Sequence, residues 1–251
     1  MWSYIRKGDL KNEKISKSSE PKIKRRWWLI GVPILIIGNS GSGKSTSLRN
    51  FEPNEVGIFN VASKPLPFKK KLKKIDGATY DNIAEGLQIT ALNTYIVDDA
   101  NYLMTFESFD KILEKGYEKF TTNAKHFYDM IKFVISDLPS DTLVYFFMHT
   151  ETDENGVTKA KTVGKMIDNQ ICLEGLFSIV LLASTEDGKY KFTTQTDGTT
   201  IAKSPIEMFE KEIDNDLKFV DDAIREYWEL PKRKQIVATT TTKAKEEKEN
   251  K

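Results

Sequence analysis

The sequence predicts an α/β fold built on a mostly parallel sheet with helices on both faces. Short apolar segments rich in β-branched and aromatic residues are separated by stretches of helical character. Continuously apolar segments are typical of strands buried on both faces, and their alternation with helices is typical of a parallel sheet. A glycine-rich loop also follows the first apolar segment, at the strand end where α/β proteins bind ligands.

The predicted elements follow the apolar pattern in chain order. The clearest helix covers Asn123–Ser136, and a short helix over residues 44–50 follows the glycine-rich loop. We expect strands at Val32–Ile37, Val56–Val61, Thr94–Val97, Leu143–Met148 and Phe177–Ala183.

The C-terminal third of the chain predicts a β-hairpin followed by a helix. Lys189–Thr194 and Thr199–Ala202 flank Asp197-Gly198, and an Asp-Gly pair between two such segments favours a tight hairpin turn. A last helix is expected from about Pro205 to Glu229, because Pro231 cannot continue it.

The ends of the chain differ in composition from its middle. Residues 1–26 hold nine Lys or Arg against three acids and little that could fill a core, which predicts a flexible basic arm. Residues 231–251 contain a Thr run followed by mixed Lys and Glu, which predicts a disordered polar tail. Residues 27–230 then form one α/β domain, a size that a chain of 251 residues supports.

Composition excludes several classes of protein. The formal net charge is +1 and Cys172 is the single cysteine, so neither global charge nor a disulfide framework defines the protein. A cytoplasmic location is expected, since nothing in the chain needs oxidation to fold. The apolar run Trp27–Ile37 is shorter than the about 20 residues that span a bilayer. It leads into the glycine-rich loop, so we expect a strand and no membrane association.

The glycine-rich loop fits the P-loop pattern G-x-x-x-x-G-K-[ST], with a strand before it and a helix after it. Its glycines let backbone N–H groups surround phosphates, and the following helix end adds partial positive charge. Lys44 would reach the β- and γ-phosphates of ATP, and the Ser45 hydroxyl would bind Mg²⁺. The predicted nucleotide-binding residues are Gly38, Asn39, Ser40, Gly41, Ser42, Gly43, Lys44, Ser45 and Thr46.

Polar residues follow two later strands and complete the predicted site. Thr94–Val97 ends in Asp98-Asp99, so Asp98 is the expected Walker B ligand of Mg²⁺ and Asp99 the expected acid that orients water. His149 follows the strand Leu143–Met148 and is a candidate sensor of the γ-phosphate. Each of these positions also fits a strand that simply ends in a polar turn.

The sequence favours ATP over GTP. No guanine-reading Asn-Lys-x-Asp motif lies in position, and Asp98 is followed by Asp99-Ala100-Asn101 in place of an Asp-x-x-Gly motif. A small nucleotide kinase stays open as an alternative, although no Arg-rich lid is visible.

Five segments add information to the Walker motifs: 60–68, Ile96–Asp99, Met148–Glu151, Gly164-Lys165-Met166 and Ala202-Lys203-Ser204-Pro205. In their order and sequence the chain resembles the RecA-like ATPases of bacteriophages over about residues 28–210. That resemblance implies an AAA-type ATP-binding protein, linked in some cases to single-strand annealing, recombination or replication, and the host cytoplasm as its location.

The resemblance also implies an oligomeric ring or filament. The partners that it implies are single-stranded DNA and a single-strand-binding or related protein, and Lys161 or Lys165 would reach a neighbour's nucleotide.

The chain departs from the RecA pattern at one position. RecA-type enzymes usually carry a catalytic glutamate after the second strand, whereas Val56–Val61 is followed by Ala62-Ser63-Lys64. Either Asp99 or Glu151 takes that role, or hydrolysis is slow. A nucleotide-switched interaction module with little turnover therefore stays open beside the ATPase.

A dense basic segment, Lys69–Lys74, lies after the second strand. Such clusters attract phosphate backbones independently of base sequence, and a solvated surface is the equally good alternative. Phe68 and Tyr80 lie near it in sequence and could stack on unpaired bases, or pack in the core.

Overall fold

A computed structural model describes residues 31–89, 91–116, 118–163 and 172–236. The predicted basic arm at 1–26, the tail beyond residue 236 and Lys165 lie outside the described residues.

The described residues form an α/β fold around a mostly parallel sheet, as predicted. The strands of the sheet are β1 (Val32–Ile37), β2 (Gly57–Asn60), β3 (Lys74–Asp76), β4 (Thr94–Asp98), β5 (Leu143–Met148), β8 (Ile179–Glu186), β9 (Lys189–Thr193) and β10 (Glu212–Asp214), and β6 (Thr150–Thr152) and β7 (Thr158–Ala160) form a separate hairpin. The eight strands of the sheet lie in the order β10-β9-β8-β1-β5-β4-β2-β3. The strands from β8 to β3 in that order are parallel, while β9 runs antiparallel to its two neighbours, β8 and β10.

Helices cover both faces of this sheet. Alternate residues of β1 divide between two cores, with Leu35 and Ile37 in one and Ile34 and Ile36 in the other. None of the described helices is long and apolar enough to cross a membrane. The core that holds Leu35 and Ile37 also contains residues of α1 (Tyr80–Leu87), α2 (Asn101–Asp110) and α3 (Glu118–Asp137). The second core, which holds Ile34 and Ile36, contains residues of α4 (Leu217–Tyr227) and of the 3₁₀ helix Ser45–Asn50. A further 3₁₀ turn spans Leu173–Leu176.

The predicted hairpin at Asp197-Gly198 is wrong. The turn instead lies at Asp187-Gly188, with φ of 49° and 74°, and it joins β8 to β9. Both dipeptides satisfy the local turn chemistry, but β9 has β8 and β10 as its neighbours in the sheet, so residues 199–202 do not pair with it. The later loop makes isolated bridges, from Thr200 to Thr158 and from Lys203 to Val180.

The predicted last helix begins twelve residues too early, at Pro205 in place of Leu217. Residues 212–214 pair with β9 as an edge strand. Asp216 then ends the extended backbone, because its side chain accepts hydrogen bonds from the backbone N–H groups of Lys218 and Phe219. This N-cap fixes the helix start where apolar periodicity alone could not.

Residues 231–236, which the sequence predicts to belong to the tail, lie against the domain. The backbone N–H of Ile236 donates to the carbonyl of Asn54 at 2.9 Å. The Lys234 N–H donates to Asn93 Oδ1 at 2.8 Å, and the Gln235 side chain donates to Glu55 Oε1 at 2.8 Å. This segment therefore joins α4 to the amino-terminal edge of the sheet.

A buried ionic network holds α4 under β4 and β5. Asp221 Oδ1 accepts hydrogen bonds from Thr94 Oγ1 and Tyr145 Oη, each at 3.1 Å. Asp221 Oδ2 accepts from Arg225 Nε at 2.9 Å and Arg233 Nε at 3.0 Å. Both oxygens of a fully buried carboxylate are thus paired, which is the condition under which a buried charge is tolerated.

Replacing Asp221 with Ala is expected to lower the free energy of unfolding by about 3–5 kcal/mol, because two arginines lose their buried counter-charge. The neighbouring Asp222 is the matched control, since its side chain is 60% exposed although it also pairs with Arg233. Asp222→Ala should cost less than about 1 kcal/mol. Urea unfolding at pH 7 measures both values, and equal losses would contradict this account of the network.

Candidate functional site

The glycine-rich loop connects β1 to the 3₁₀ helix at the carboxyl edge of the sheet. Its backbone is closely surrounded: a Cβ added to Gly38 would lie 2.7 Å from the carbonyl oxygen of Ala183. Gly43 has a φ of 94°, and a Cβ there would lie 2.6 Å from the ring of Tyr190. Gly38 therefore requires glycine for space, and Gly43 requires it for both conformation and space.

Lys44 folds back into this loop. Its Nζ donates to the carbonyls of Gly38 at 2.6 Å and Asn39 at 2.9 Å, and the residue is buried. Burial lowers the pKa of Lys44 to about 8, against the raising influence of Asp99 and Asp98. An ammonium held by two carbonyls of a glycine-rich loop can exchange them for an anionic oxygen.

Ser45 and Asp98 meet across the carboxyl edge of the sheet. The Ser45 hydroxyl lies 2.9 Å from Asp98 Oδ2 and 3.1 Å from Oδ1, although the two residues lie on different elements. Burial, followed by the charge of Asp99, raises the pKa of Asp98 to about 6. A hydroxyl beside a carboxylate supplies the hard oxygen donors that Mg²⁺ prefers, so this pair fits the predicted metal.

Asp99 is held by two basic side chains. Lys64 Nζ donates to its Oδ2 at 2.7 Å, and His149 Nε2 lies 3.2 Å from Oδ1. Burial alone would raise the pKa of Asp99, but the contacts with His149 and Lys64 outweigh it and lower that pKa. The backbone at Asp99 is left-handed, with a φ of 60°, which turns the chain sharply after β4.

His149 lies between the loop and the aspartates because β5 lies between β1 and β4. Its backbone N–H donates to Asn101 Oδ1 at 3.1 Å, and its ring meets Tyr102 edge-on with centroids 5.7 Å apart. The next residue, Thr150, donates to Asn39 Oδ1 of the glycine-rich loop at 2.6 Å. The end of β5 is therefore linked to both of the other strand ends.

The structure brings together most of the predicted site residues and adds others. Lys44, Ser45, Asp98, Asp99 and His149 form one cluster through the contacts above. Lys64, Asn101 and Thr150 belong to it but were given no role from the sequence. Each of the three comes shortly after a parallel strand, so the strand-end rule that selected His149 could have selected them as well.

Glu151, the alternative catalytic acid, lies on β6. Its Oε1 is 3.3 Å from Lys159 Nζ across the β6–β7 hairpin. Glu151 therefore belongs to a cross-strand ion pair of this hairpin, whereas Asp99 belongs to the cluster around Lys44.

The basic segment Lys69–Lys74 lies on the surface after β2. Lys70 pairs with Glu52 at 3.0 Å and Lys74 pairs with Asp76. Leu72 is buried and anchors the segment, while Phe68 packs against the second core. Three lysines without those pairings, Lys69, Lys71 and Lys73, are exposed.

The fold and the site define an α/β protein with a mostly parallel sheet flanked by helices, compatible with a Rossmann or RecA-like architecture. A scan against protein-family models and a search of curated proteins found no match to this chain.

Asp98→Asn is expected to change how stability depends on pH. Because folding raises the pKa of Asp98 from 3.8 to about 6, the folded state binds the extra proton between these values, and stability falls as pH rises through this window. Asparagine removes that contribution. The free energy of unfolding of the variant should exceed that of the parent by up to about 3 kcal/mol at pH 8, and the two should be equal below pH 4.

Urea unfolding between pH 4 and pH 8 measures this effect. Glu85→Gln, at an exposed position of α1, is the matched control and should keep the parent's pH profile. Parallel profiles for Asp98→Asn and the parent would show that burial of Asp98 does not disfavour its charge.

Proposed function

We propose that this chain is a RecA-like P-loop ATPase that binds ATP with Mg²⁺ and couples the nucleotide to single-stranded DNA. The observation that carries the proposal is the contact between the Ser45 hydroxyl and Asp98. A P-loop Ser and a Walker B Asp must meet at the metal in such enzymes. Here the two residues, 53 positions apart, meet through the fold.

The proposed binding roles follow from the positions of the side chains. Lys44 exchanges its two loop carbonyls for the β- and γ-phosphate oxygens, and the loop N–H groups surround the phosphates. Ser45 and Asp98 would hold Mg²⁺, which when bound neutralises charge on the β- and γ-phosphates. Burial lowers the pKa of Lys44 and raises the pKa of Asp98, because it disfavours the charged form of each group. A bound phosphate would stabilise the charge of Lys44, and a bound metal would stabilise the charge of Asp98.

Turnover has weaker support than binding. Asp99 is the acid of the cluster that has no role in holding the proposed metal. Its lowered pKa makes it a poor proton acceptor near neutral pH. It can still orient a water molecule through its carboxylate. Since Lys64 already contacts Oδ2 of Asp99 and His149 contacts Oδ1, a water molecule must compete with them, and we expect slow hydrolysis.

The same contacts favour a second candidate, a nucleotide-switched interaction module. The γ-phosphate is an anion that can take Lys64 or His149 away from Asp99, which changes the segments that follow β2 and β5. In this alternative the chain binds ATP tightly and a protein partner reads the resulting loop positions.

The proposed DNA contact is the exposed lysine group Lys69, Lys71 and Lys73. The lysines lie beyond β2, whose carboxyl end also leads to Lys64. Positive charge on this surface would attract a phosphate backbone without reading its bases. The resemblance to phage RecA-like ATPases supports an oligomer and a single-strand-binding or other recombination partner.

Lys44→Ala is expected to weaken ATP–Mg²⁺ binding by about 10- to 100-fold, the value of losing charge-assisted bonds to phosphate. Calorimetric titration of the full chain measures the affinity, and Lys69→Ala is the matched control that should leave it unchanged. Unchanged affinity in Lys44→Ala would sink the proposed phosphate site.

Hydrolysis assays on the parent then separate the candidate functions. Stimulation of phosphate release by single-stranded DNA supports the ATPase, and tight binding without turnover supports the switched module. Transfer of phosphate to an added nucleoside monophosphate would establish a nucleotide kinase.

Neutralising Lys69, Lys71 and Lys73 together as Gln is expected to flatten the salt dependence of single-stranded DNA binding. Each lost phosphate contact removes about 0.7 from the slope of log affinity against log salt, so three remove about 2. Fluorescence anisotropy with labelled oligonucleotides at several salt concentrations measures the slope. Lys125, Lys132 and Lys211, exposed elsewhere, form the control triple. An equal effect of the two triples would show that net charge, and not this surface, binds DNA.

A further inference from the structure

The ring of Tyr190 lies on the glycine-rich loop, just before the 3₁₀ helix begins. A Cβ added to Gly43 would lie 2.6 Å from Cδ1 of this ring and 2.9 Å from its Cγ, so the ring packs directly on the loop backbone. Tyr190 is nevertheless 39% exposed. The loop therefore covers part of the aromatic surface and leaves the rest open to solvent.

The β8–β9 hairpin places Tyr190 on the side of the loop away from Asp98. In the sheet, β8 lies next to β1 on one side, and β5 and then β4, which carries Asp98, lie on the other. Tyr190 pairs with Thr185 of β8, and the Ala183 carbonyl of the same strand approaches the loop at Gly38. The loop thus lies between this hairpin and the acidic strand ends.

The face of β9 that carries Tyr190 packs toward the 3₁₀ helix. Side chains alternate between the two faces of a strand, so Tyr190 shares its face with Phe192. Phe192 is fully buried in the core that also contains Leu48 of the 3₁₀ helix. Tyr190 is thereby held next to the loop by the buried part of its own strand.

The phosphate roles proposed above set the direction in which a nucleotide extends. The metal and the β- and γ-phosphates would lie at Lys44 and Asp98, so the α-phosphate and the nucleoside would lie at the other end of the ligand. On the Asp98 side, the strand ends carry the charged pair of Asp99 and Lys64. On the opposite side, the structure presents the partly exposed aromatic ring of Tyr190.

We propose that the Tyr190 ring is the surface on which the nucleobase of bound ATP stacks. This inference rests on the proposed ATP site and identifies its base-binding part. Every nucleobase has a π-face, so stacking on an aromatic side chain needs no hydrogen bond to the base edge. Because the loop and β9 already hold the ring in place, stacking requires little ordering of the protein.

Two ligands separate stacking from support of the loop. Ribose 5-triphosphate has the sugar and the three phosphates of ATP but lacks the base. We expect calorimetric titration of the full chain in Mg²⁺ to show about tenfold tighter binding of ATP than of ribose 5-triphosphate. If the parent binds both with equal affinity, the base site is wrong and the phosphate site stands. If the parent binds neither, the proposed function and this inference both fail.

Tyr190→Ala removes the ring and should lower ATP affinity about tenfold, to the level of ribose 5-triphosphate. Its affinity for ribose 5-triphosphate should equal that of the parent. Tyr190→Phe keeps the aromatic face and should bind both ligands as the parent does. An equal loss for the two ligands in Tyr190→Ala would show that the ring only supports the loop, and unchanged ATP affinity would place the base elsewhere. Either result overturns the inference.

Tyr190→Leu keeps the test decisive if Tyr190→Ala disturbs the loop, because leucine fills the space on Gly43 without an aromatic face. It should reproduce the selective loss of ATP affinity, and parental ATP affinity in this variant would contradict stacking. Tyr227→Ala is the matched control. Tyr227 is 44% exposed, and its ring contacts Trp228 at the carboxyl end of α4. This variant should keep the parental affinity for both ligands.

A fluorescence measurement locates the base at this position. Tyr190→Trp places an indole on the loop and should keep the parental ATP affinity. Its emission should fall when ATP is added and stay constant when ribose 5-triphosphate is added. The parent, titrated in the same way, corrects for the four tryptophans of the chain. After that correction, an equal response to the two ligands, or no response to ATP, would overturn the inference.

Discussion

The candidate site depends on the burial of β5. All six residues of this strand are buried, and it pairs with β1 on one side and β4 on the other. Neighbouring strands lie about 4.8 Å apart, so β5 separates the glycine-rich loop from Asp98 by about 10 Å at the strand level. The loop backbone carries Ser45 across this distance to Asp98, while His149 and Thr150 follow the end of β5 between them. Alternate residues of β5 belong to different cores, so a polar substitution within the strand would weaken the core on its own face.

At the carboxyl edge of the sheet, buried acidic and basic side chains stabilise each other's charge. Lys44 would be more easily deprotonated without Asp98 and Asp99, and Asp99 would hold its charge less firmly without Lys64 and His149. Asp98 has the least compensation, because its hydrogen bond comes from a neutral hydroxyl. The cluster is thus preorganised for a ligand that brings both positive and negative charge, as a metal phosphate does.

The sequence predicts those features that arise from long apolar runs or from one local motif. The buried strands β1, β4, β5 and β8 and the glycine-rich loop are of this kind. The edge strands β3 and β10, with the sequences Lys-Ile-Asp and Glu-Ile-Asp, have no apolar run and exist only because a neighbouring strand offers free hydrogen-bonding groups. The predicted hairpin turn is wrong for a related reason. Two Asp-Gly pairs satisfy the same turn rule, and only the pairing of β8 with β9 shows which pair forms the turn. How α1, α2 and α3 pack over the sheet is encoded by no short pattern, whereas Lys64 follows a strand end and the rule that selected His149 could have selected it.

The segment 231–236 is part of the domain that folds as a unit. Arg233 supplies one of the two cationic partners of Asp221, and the residues after it pair with backbone and side chains at 54, 55 and 93. A protease that cuts just after α4 would therefore release more than a polar extension, because it would open the buried end of the helix to water. In limited proteolysis the stable fragment should end beyond Ile236, and one ending at Leu230 should be degraded further.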